Sequence, residues 1–250
     1  MSFDSTSEFS EFLASRRTTR DFLNTPVPPE LIDALLSDAM TAPSWSNTRP
    51  FLVAVASGDA RDRISSEFCA RWDAVVAAKR PGWAGLRSKL RLVLTRYGLP
   101  DSDYRVYRPY PPELKARARR VGAALYQALG VARDDRPARD AQWRRNYEFF
   151  GAPLSLFIFT HAGLGEYSVS DAGLMMQNLM LSAHARGLGS CAQGASALWA
   201  KPVRAEFEIP KGYKLLCGIA IGYPSDASVN TFQAERLPVS DIKLLPKTGT

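Results

Sequence analysis

Apolar residues recur every three or four positions over two stretches of the chain, which is the spacing of an amphipathic helix. The first stretch is residues 26–40, "PVPPELIDALLSDAM", whose prolines suit a first helical turn. The second is residues 168–187, "SVSDAGLMMQNLMLSAHARG", where Ser168 and Asp171 predict a capped start and Gly187 predicts the end. We expect a buried helix in the first stretch and a central helix in the second. The apolar positions behind these predictions are Leu31, Ile32, Leu35, Leu36, Ala39 and Met40, then Leu174, Met175, Leu179 and Leu181.

Three short runs are almost wholly apolar and rich in strand-forming residues. They are "FLVAVA" at 51–56, "LSLFIF" at 154–159 and "KLLCGIAIGY" at 214–223. Runs without an alternating polar face are typical of strands that are buried on both sides. The pattern therefore predicts a sheet covered on both faces.

Residues 96–145 depart from this pattern. Proline, tyrosine and arginine crowd the first part, "RYGLPDSDYRVYRPYPPEL", and charged helical stretches follow it, "KARARRVGAALYQALG" and "RPARDAQWRRN". Neither side of this segment looks able to form a core alone. We predict a single domain over residues 1–250, with an insertion or lid at about 96–145.

Composition narrows the class of protein. The 250 residues are 46% hydrophobic and 23% charged, as in an ordinary globular chain. No run is apolar for long enough to span a bilayer, and the first residues are acidic and polar, so we expect a cytoplasmic protein without a membrane partner. Three widely spaced cysteines and only two histidines argue against a disulfide framework and a metal site.

The first candidate for chemistry is "SRRTTRDF" at 15–22, where Arg16, Arg17 and Arg20 surround Thr18 and Thr19. Guanidinium groups are planar paired donors that match phosphate oxygens, and a threonine hydroxyl adds another donor. The cluster is thus a candidate phosphate site. A solvated basic helix end is the alternative.

The second candidate is "GLGSCAQGA" at 187–195, whose glycines allow a ligand to approach the backbone closely. A helix end followed by a buried strand would explain Gly187 and Gly189, but not the later "QG" at 193–194. No G-x-G-x-x-G opens a helix after a strand, which argues against a Rossmann nicotinamide domain. Arg236, after the last strand, is by itself typical of a solvated surface residue.

The order of these motifs resembles the nitroreductase family of flavin-dependent oxidoreductases. "RRTTR" matches the family's RRS-x-R, "APSWSNTRPF" at 42–51 matches APS-x-x-N-x-QPW, and "RGLGSCAQG" matches its later RGLG segment. "NYEFFGAPLSLFIF" and "GIAIGYP" are similar to the same family. The run "APSWSNT" most resembles the branch of nitrobenzoate reductases and their mycobacterial relatives.

The resemblance implies an α+β fold in which helices wrap a mainly antiparallel sheet. It also implies an intertwined homodimer with two FMN sites at the subunit interface. The residues that would hold the FMN phosphate and ribityl chain are Arg16, Arg17, Thr18, Arg20 and Arg236. Those that would border the flavin from the partner subunit are Pro43, Ser44 and Asn47. Backbone amides near Gln193 and Gly194 would face the N5 and O4 edge of the ring.

The activity implied is two-electron, ping-pong reduction of a nitroaromatic or quinone-like acceptor by NADH or NADPH, without a side-chain acid or base. One alternative keeps the flavin but uses oxygen as acceptor, as a dehydrogenase or oxidase in a tailoring pathway. The other is a nucleic-acid-binding protein that uses "RRTTR" and "KARARR". The lack of a stacking platform or helix-turn-helix argues against nucleic acid as a partner.

Two residues depart from the family motif. Arg49 stands where the family usually has Gln or Glu before the proline, and Gln233 where relatives often have a second basic residue. We expect Arg49 to supply positive charge for an acceptor carboxylate or a phosphate of the nicotinamide donor. Trp45, inside the same motif, is predicted to form a wall beside the flavin that shapes substrate stacking. A core or dimer-interface anchor is the alternative for Trp45.

Overall fold

The computed structural model describes residues 5–106 and 108–246, so part of the polar start considered above (residues 1–4), Tyr107 and residues 247–250 lie outside the described residues. The fold is α+β, as the family resemblance implied. The α-helices are α1 (Thr6–Ser15), α2 (Pro29–Ala39), α3 (Gly58–Lys79), α4 (Gly82–Thr95), α5 (Pro112–Ala128), α6 (Arg136–Arg144), α7 (Glu166–Ala185) and α8 (Ala200–Glu206). The strands are β1 (Phe51–Ser57), β2 (Leu154–His161), β3 (Gly189–Gln193) and β4 (Tyr213–Gly222).

The four strands form one sheet in the order β1-β2-β4-β3, and every neighbouring pair is antiparallel. Residues 154–160 of β2 are all buried, because this strand lies in the middle of the sheet and has packing on both faces. All three apolar runs are strands, so the prediction of a sheet covered on both sides is confirmed. The fourth strand, β3, lies in the glycine-rich stretch 187–195. A helix end followed by a buried strand was one interpretation of that stretch, and a site of close ligand approach was the other.

Alternate side chains of the central strands enter two separate apolar clusters. Phe157 and Phe159 join one cluster, together with Phe68 of α3. Leu156 and Ile158 join the other, with Met175 of α7. Helices α2 and α7 therefore cover one face, and α3 and α8 cover the opposite face.

The predicted start of the central helix was wrong. Helix α7 begins at Glu166 after Gly165, so Ser168 and Asp171 lie inside the helix and do not cap it. Both are buried and bond elsewhere: the Ser168 hydroxyl donates to the His161 carbonyl at 2.7 Å, and Asp171 accepts from another segment. The predicted end was correct, because Gly187 follows the helix with a φ of 74° that suits glycine.

Helix α2 lies where the sequence predicted it, although its apolar residues are buried to different extents. Leu35 and Ala39 are buried, while Leu31, Ile32 and Leu36 are half-buried against the same cluster. Met40, just after the helix, is exposed. Leu174 of α7 is likewise 45% exposed although the pattern placed it with the apolar positions. Met40 and Leu174 are part of the argument for a second subunit below.

The edge strand β3 holds the chain that follows α1. Thr18 pairs with Ser190 in an isolated parallel bridge, and the Thr19 amide donates to the Ser190 carbonyl at 3.0 Å. A Cβ on Gly189 would overlap the Thr19 side chain, so glycine is required for this close approach. The sheet edge thus places residues 16–20 beside the start of β3.

The segment predicted as an insertion divides into two parts. Its first part is bonded to the core: Trp199 donates to the Gly98 carbonyl at 3.2 Å, and Tyr104 and Thr160 share a hydroxyl hydrogen bond of 2.8 Å. Helices α5 and α6 bury none of their residues. The single domain and the lid role of residues 96–145 stay predictions.

Three further findings concern the cysteines, metal sites and membrane-spanning helices. Cys69, Cys191 and Cys217 are buried and free. No group of three or more histidine, cysteine or acidic residues that could hold a metal occurs among the residues described. In the same part of the chain, no helix is long and apolar enough to cross a membrane.

Candidate functional site

A cavity of about 190 Å³ lies where the chain after α1 meets the chain after β4. We call it the arginine cavity. The predicted phosphate residues line it together: Arg16, Arg17, Thr18, Arg20 and Arg236. The rest of its wall comes from α5 (Val121, Gly122 and Leu125) and from Phe232, Gln233 and Ala234. Gln233, one of the two departures from the family motif, is therefore part of this wall.

Several hydrogen bonds from the chain after β4 hold the first arginine segment in place. The Asn230 side chain accepts from the Arg20 amide at 2.8 Å and donates to the Asp21 carbonyl at 2.8 Å. Arg17 donates to the Thr231 carbonyl at 3.3 Å. Gln233 donates to the Ala14 carbonyl at 3.2 Å. The two segments that line the cavity are thus bonded directly to each other.

The electrostatics of the arginine cavity favour an anion. Within the described ranges, none of Arg16, Arg17, Arg20 and Arg236 forms an ion pair with a carboxylate. Burial lowers the pKa of Arg16, and the nearby positive charge of Arg236 lowers it further. An anion in the cavity would relieve this repulsion between like charges.

Strand β3 leads from the arginine cavity to Gln193 and Gly194. Gln193 is buried; its amide nitrogen donates to the Asn146 carbonyl at 2.7 Å, but its side-chain oxygen has no partner. Gly194 is exposed, and a Cβ there would meet nothing within 4 Å. A ligand can therefore approach the backbone at Gly194, whereas the unsatisfied oxygen of Gln193 is buried beside it.

The segment 43–49 is held against α7 and not against the arginine cavity. The Trp45 amide donates to the Asp171 carboxylate at 3.0 Å, and the Trp45 ring centroid is 4.5 Å from that of Tyr167. The Ser44 hydroxyl accepts from the Arg49 amide at 3.0 Å. The Trp45 side chain is 55% exposed, so a fully buried anchor is ruled out for this residue in the single chain.

Three residues of this segment have a left-handed backbone although none is glycine: Ser46 with φ 49°, Asn47 with φ 58° and Arg49 with φ 45°. Such conformations cost on the order of 1 kcal/mol or more each and persist only where surrounding contacts impose them. The Arg49 guanidinium donates to the carbonyl and the side-chain oxygen of Asn47, which links two of the three residues.

The structure therefore divides the predicted site residues into two groups. The five phosphate residues meet in the arginine cavity, and β3 connects them to Gln193 and Gly194. The second group lines no part of that cavity within one chain: Pro43, Ser44, Trp45, Asn47 and Arg49.

Two residues that shape the site were missed by the sequence analysis. Asp171 was taken as a helix cap, although an acidic residue on the apolar side of a helix is itself a signal of a specific partner. Asn230 gave no signal, because its role depends on a contact with a segment about 210 positions earlier in the chain.

A family model described as the nitroreductase family matches residues 13–223. The chain belongs to this family. Among curated relatives, the 4-nitrobenzoate reductase of Pseudomonas putida is 30% identical over 232 residues, 92% of each chain. The nitroreductase NfnB of Mycolicibacterium smegmatis is 33% identical over 230 residues, which cover 92% of this chain and 88% of that one.

Solved nitroreductases have the same architecture as this family member. The FMN and NADPH-dependent nitroreductase NfnB of Sphigopyxis sp. strain HMH superposes with a TM-score of 0.81 at 31% identity, covering 96% of this chain and 99% of that one. The FMN-dependent NfnB of Mycobacterium smegmatis, solved in complex with NADPH, also gives 0.81 at 31% identity, with 97% and 100% covered.

Asp171 provides a test of how segment 43–49 is held in this nitroreductase. Asp171→Ala should lower the free energy of unfolding by about 2 kcal/mol, because a buried hydrogen bond to a charged group is lost. Asp171→Asn should cost less, since its amide oxygen can still accept from Trp45. Urea unfolding measures both. An alanine variant as stable as the unaltered protein would contradict this role.

Proposed function

We propose that the chain is an FMN-dependent NAD(P)H oxidoreductase that reduces nitroaromatic or quinone-like acceptors by two electrons. The observation that carries the proposal is the cluster of four arginines without ion-pair partners, within the described residues, at the start of β3. The relatives, which are nitrobenzoate reductases and FMN- and NADPH-dependent nitroreductases, support the same activity.

The residues present fit the phosphate end of FMN. A phosphomonoester brings up to two negative charges, and guanidinium groups bind it through short, charge-assisted hydrogen bonds. Arg16, Arg20 and Arg236 supply that charge in the arginine cavity, and the Thr18 hydroxyl supplies a neutral donor. Gln233 adds no charge where relatives often have a basic residue, so the four arginines are the source of electrostatic binding.

The direction of β3 fits the rest of the cofactor. From Ser190 to Gln193 the strand advances roughly 10 Å, at about 3.3 Å per residue. This length suits an extended ribityl chain that runs from the arginine cavity towards the open backbone at Gly194.

FMN, when bound, supplies a carrier of two electrons between NAD(P)H and the acceptor. The protein's own task is then to bind and orient the partners. Arg16, Arg20 and Arg236 anchor the anionic end, and the backbone at Gln193–Gly194 polarises the ring. We assign no side chain as acid or base. Donor and acceptor take turns at one open face, since no separate nicotinamide domain was found in the sequence.

We infer that the complete site needs a second copy of the chain. Segment 43–49 carries the family motif, yet within one chain it lies on α7 away from the arginine cavity. Exposed apolar side chains lie within this segment, at the end of α2 before it and on α7: Trp45, Met40, Tyr167 and Leu174. Burying this patch against a partner would bring Pro43, Ser44 and Asn47 to the partner's flavin.

Arg20→Ala and Arg236→Ala should each weaken FMN binding about ten- to a hundredfold, because a charge-assisted hydrogen bond to phosphate contributes about 1.5 to 3 kcal/mol. Flavin fluorescence titration of the apoprotein measures this affinity. Arg119→Ala, on α5 but outside the arginine cavity, is the matched control. If both variants bind FMN as tightly as the control, the phosphate site lies elsewhere.

The homodimer can be tested at the patch on α7. Leu174→Glu should shift the protein from dimer to monomer in sedimentation velocity, because a charge would be buried in an apolar interface. FMN retention should fall with it. Leu114→Glu on α5 is the control, since Leu114 is 44% exposed against 45% for Leu174. A flavin-loaded monomer for the unaltered chain would overturn the shared site.

The role proposed for Trp45 and Arg49 is acceptor selection. Arg49→Gln should raise KM about twofold to fivefold for carboxylated nitroaromatics or NADPH while leaving neutral acceptors unchanged, the size expected for one partly exposed charge. Trp45→Ala should alter the preference among planar acceptors with FMN content intact. Steady-state kinetics with matched neutral and anionic acceptors decide this. Equal effects on all partners would remove Arg49 from the site.

A further inference from the structure

A second, larger cavity of about 760 Å³ lies between α3 and α6, with Tyr126 of α5 at its edge. We call it the α3–α6 groove. It shares no lining residue with the arginine cavity. Its volume falls in the range of roughly 300–1,000 Å³ that is typical of small-molecule sites.

The groove carries an excess of positive charge. Five cations and two carboxylates line it, and one of those carboxylates, Asp73, is already paired with Arg144 at 3.0 Å. No carboxylate in the described part of the chain pairs with Lys79, Arg80, Arg136 or Arg139. Cations gathered around a concave surface produce a positive potential that attracts an anion.

Aromatic rings hold two of these cations in position. The Lys79 ammonium lies 4.7 Å from the Trp72 ring centroid, and the Arg139 guanidinium carbon lies 5.1 Å from that of Tyr126. Cation–π attraction restrains side chains that would otherwise be mobile. Binding an anion then costs less conformational entropy than binding to free surface lysines and arginines.

A more apolar cavity lies next to the groove. A neighbouring cavity of about 540 Å³ shares Trp72, Lys79 and Trp143 with it and is otherwise lined largely by aliphatic side chains, including Leu92, Leu99 and Leu198. The Trp72 and Trp143 ring centroids are 6.2 Å apart, with the rings tilted by 32°. Because Trp72 and Trp143 line the groove itself, a ligand that fits it has a flat apolar body beside these rings and an anionic group among the cations.

We propose that the α3–α6 groove binds a planar aromatic anion, an aryl carboxylate or sulfonate, at a site separate from the arginine cavity. The anionic group lies among Lys79, Arg80 and Arg136, and the aromatic body lies beside Trp72 and Trp143. Helices α5 and α6 thereby form one wall of a binding site, which gives the insertion a function independent of the flavin.

The test is isothermal titration of the protein, with saturating FMN present, using naphthalene-2-sulfonate as the probe and 2-naphthol as its neutral counterpart. The sulfonate should bind more tightly than the naphthol, and its affinity should fall as salt is raised. Flavin absorbance recorded in the same titration reports any binding over the flavin, which would not depend on the groove.

Substitutions of groove residues test where the sulfonate binds. Arg80→Gln and Arg136→Gln should each weaken sulfonate binding about twofold to fivefold, and the double variant about tenfold, as expected for partly solvated charges. Tyr126→Leu should weaken it as well, because Arg139 loses its ring. Arg119→Gln, which removes a charge from α5 outside the groove, should leave the affinity unchanged.

Three outcomes would overturn the proposal. The first is no sulfonate binding. The second is sulfonate binding that persists in the Arg80→Gln/Arg136→Gln variant and is accounted for entirely by the flavin absorbance change. The third is equal, salt-independent affinity for the sulfonate and the naphthol, since the groove would then not select an anion.

Discussion

The close contact between residues 18–19 and the edge strand β3 is the constraint on which the arrangement of the site depends. The Thr19 amide donates to the Ser190 carbonyl, and the contact exists only because Gly189 has no Cβ to overlap the threonine. One backbone hydrogen bond contributes only about 1 kcal/mol. Its effect on position is larger, because it fixes where the arginine segment lies relative to β3 and the direction in which β3 extends from that segment.

Features that depend on local pattern were predictable from the sequence. The three apolar runs became strands because burial on both faces leaves no polar alternation. The residues of "RRTTR", selected because their types match a phosphate, line one cavity, while the phosphate itself stays a prediction. The cap assigned to Ser168 and Asp171 failed for the opposite reason. The Asp171 carboxylate accepts from Trp45, 126 positions away, and the Ser168 hydroxyl donates to His161, which lies outside the helix. Local capping rules contain no such information.

Within one chain, segment 43–49 does not line the arginine cavity. Segment 43–49 holds three left-handed residues, and its anchor is the Asp171 carboxylate of α7. Strain of this kind is stored where a fixed backbone shape is needed, and here that shape faces outward. The proposal that this segment serves the partner subunit's site came from the family resemblance alone, because a local sequence pattern contains no information about assembly.

The arginine cavity is built from both ends of the chain. Residues 16–20 supply one side, and Asn230, Thr231 and Arg236 supply or fasten the other. During synthesis the first side leaves the ribosome more than 200 residues before the second. The proposed grip on the cofactor therefore exists only once both segments have been synthesised and folded against each other, and no part of the chain that lacks either segment contains the whole cavity.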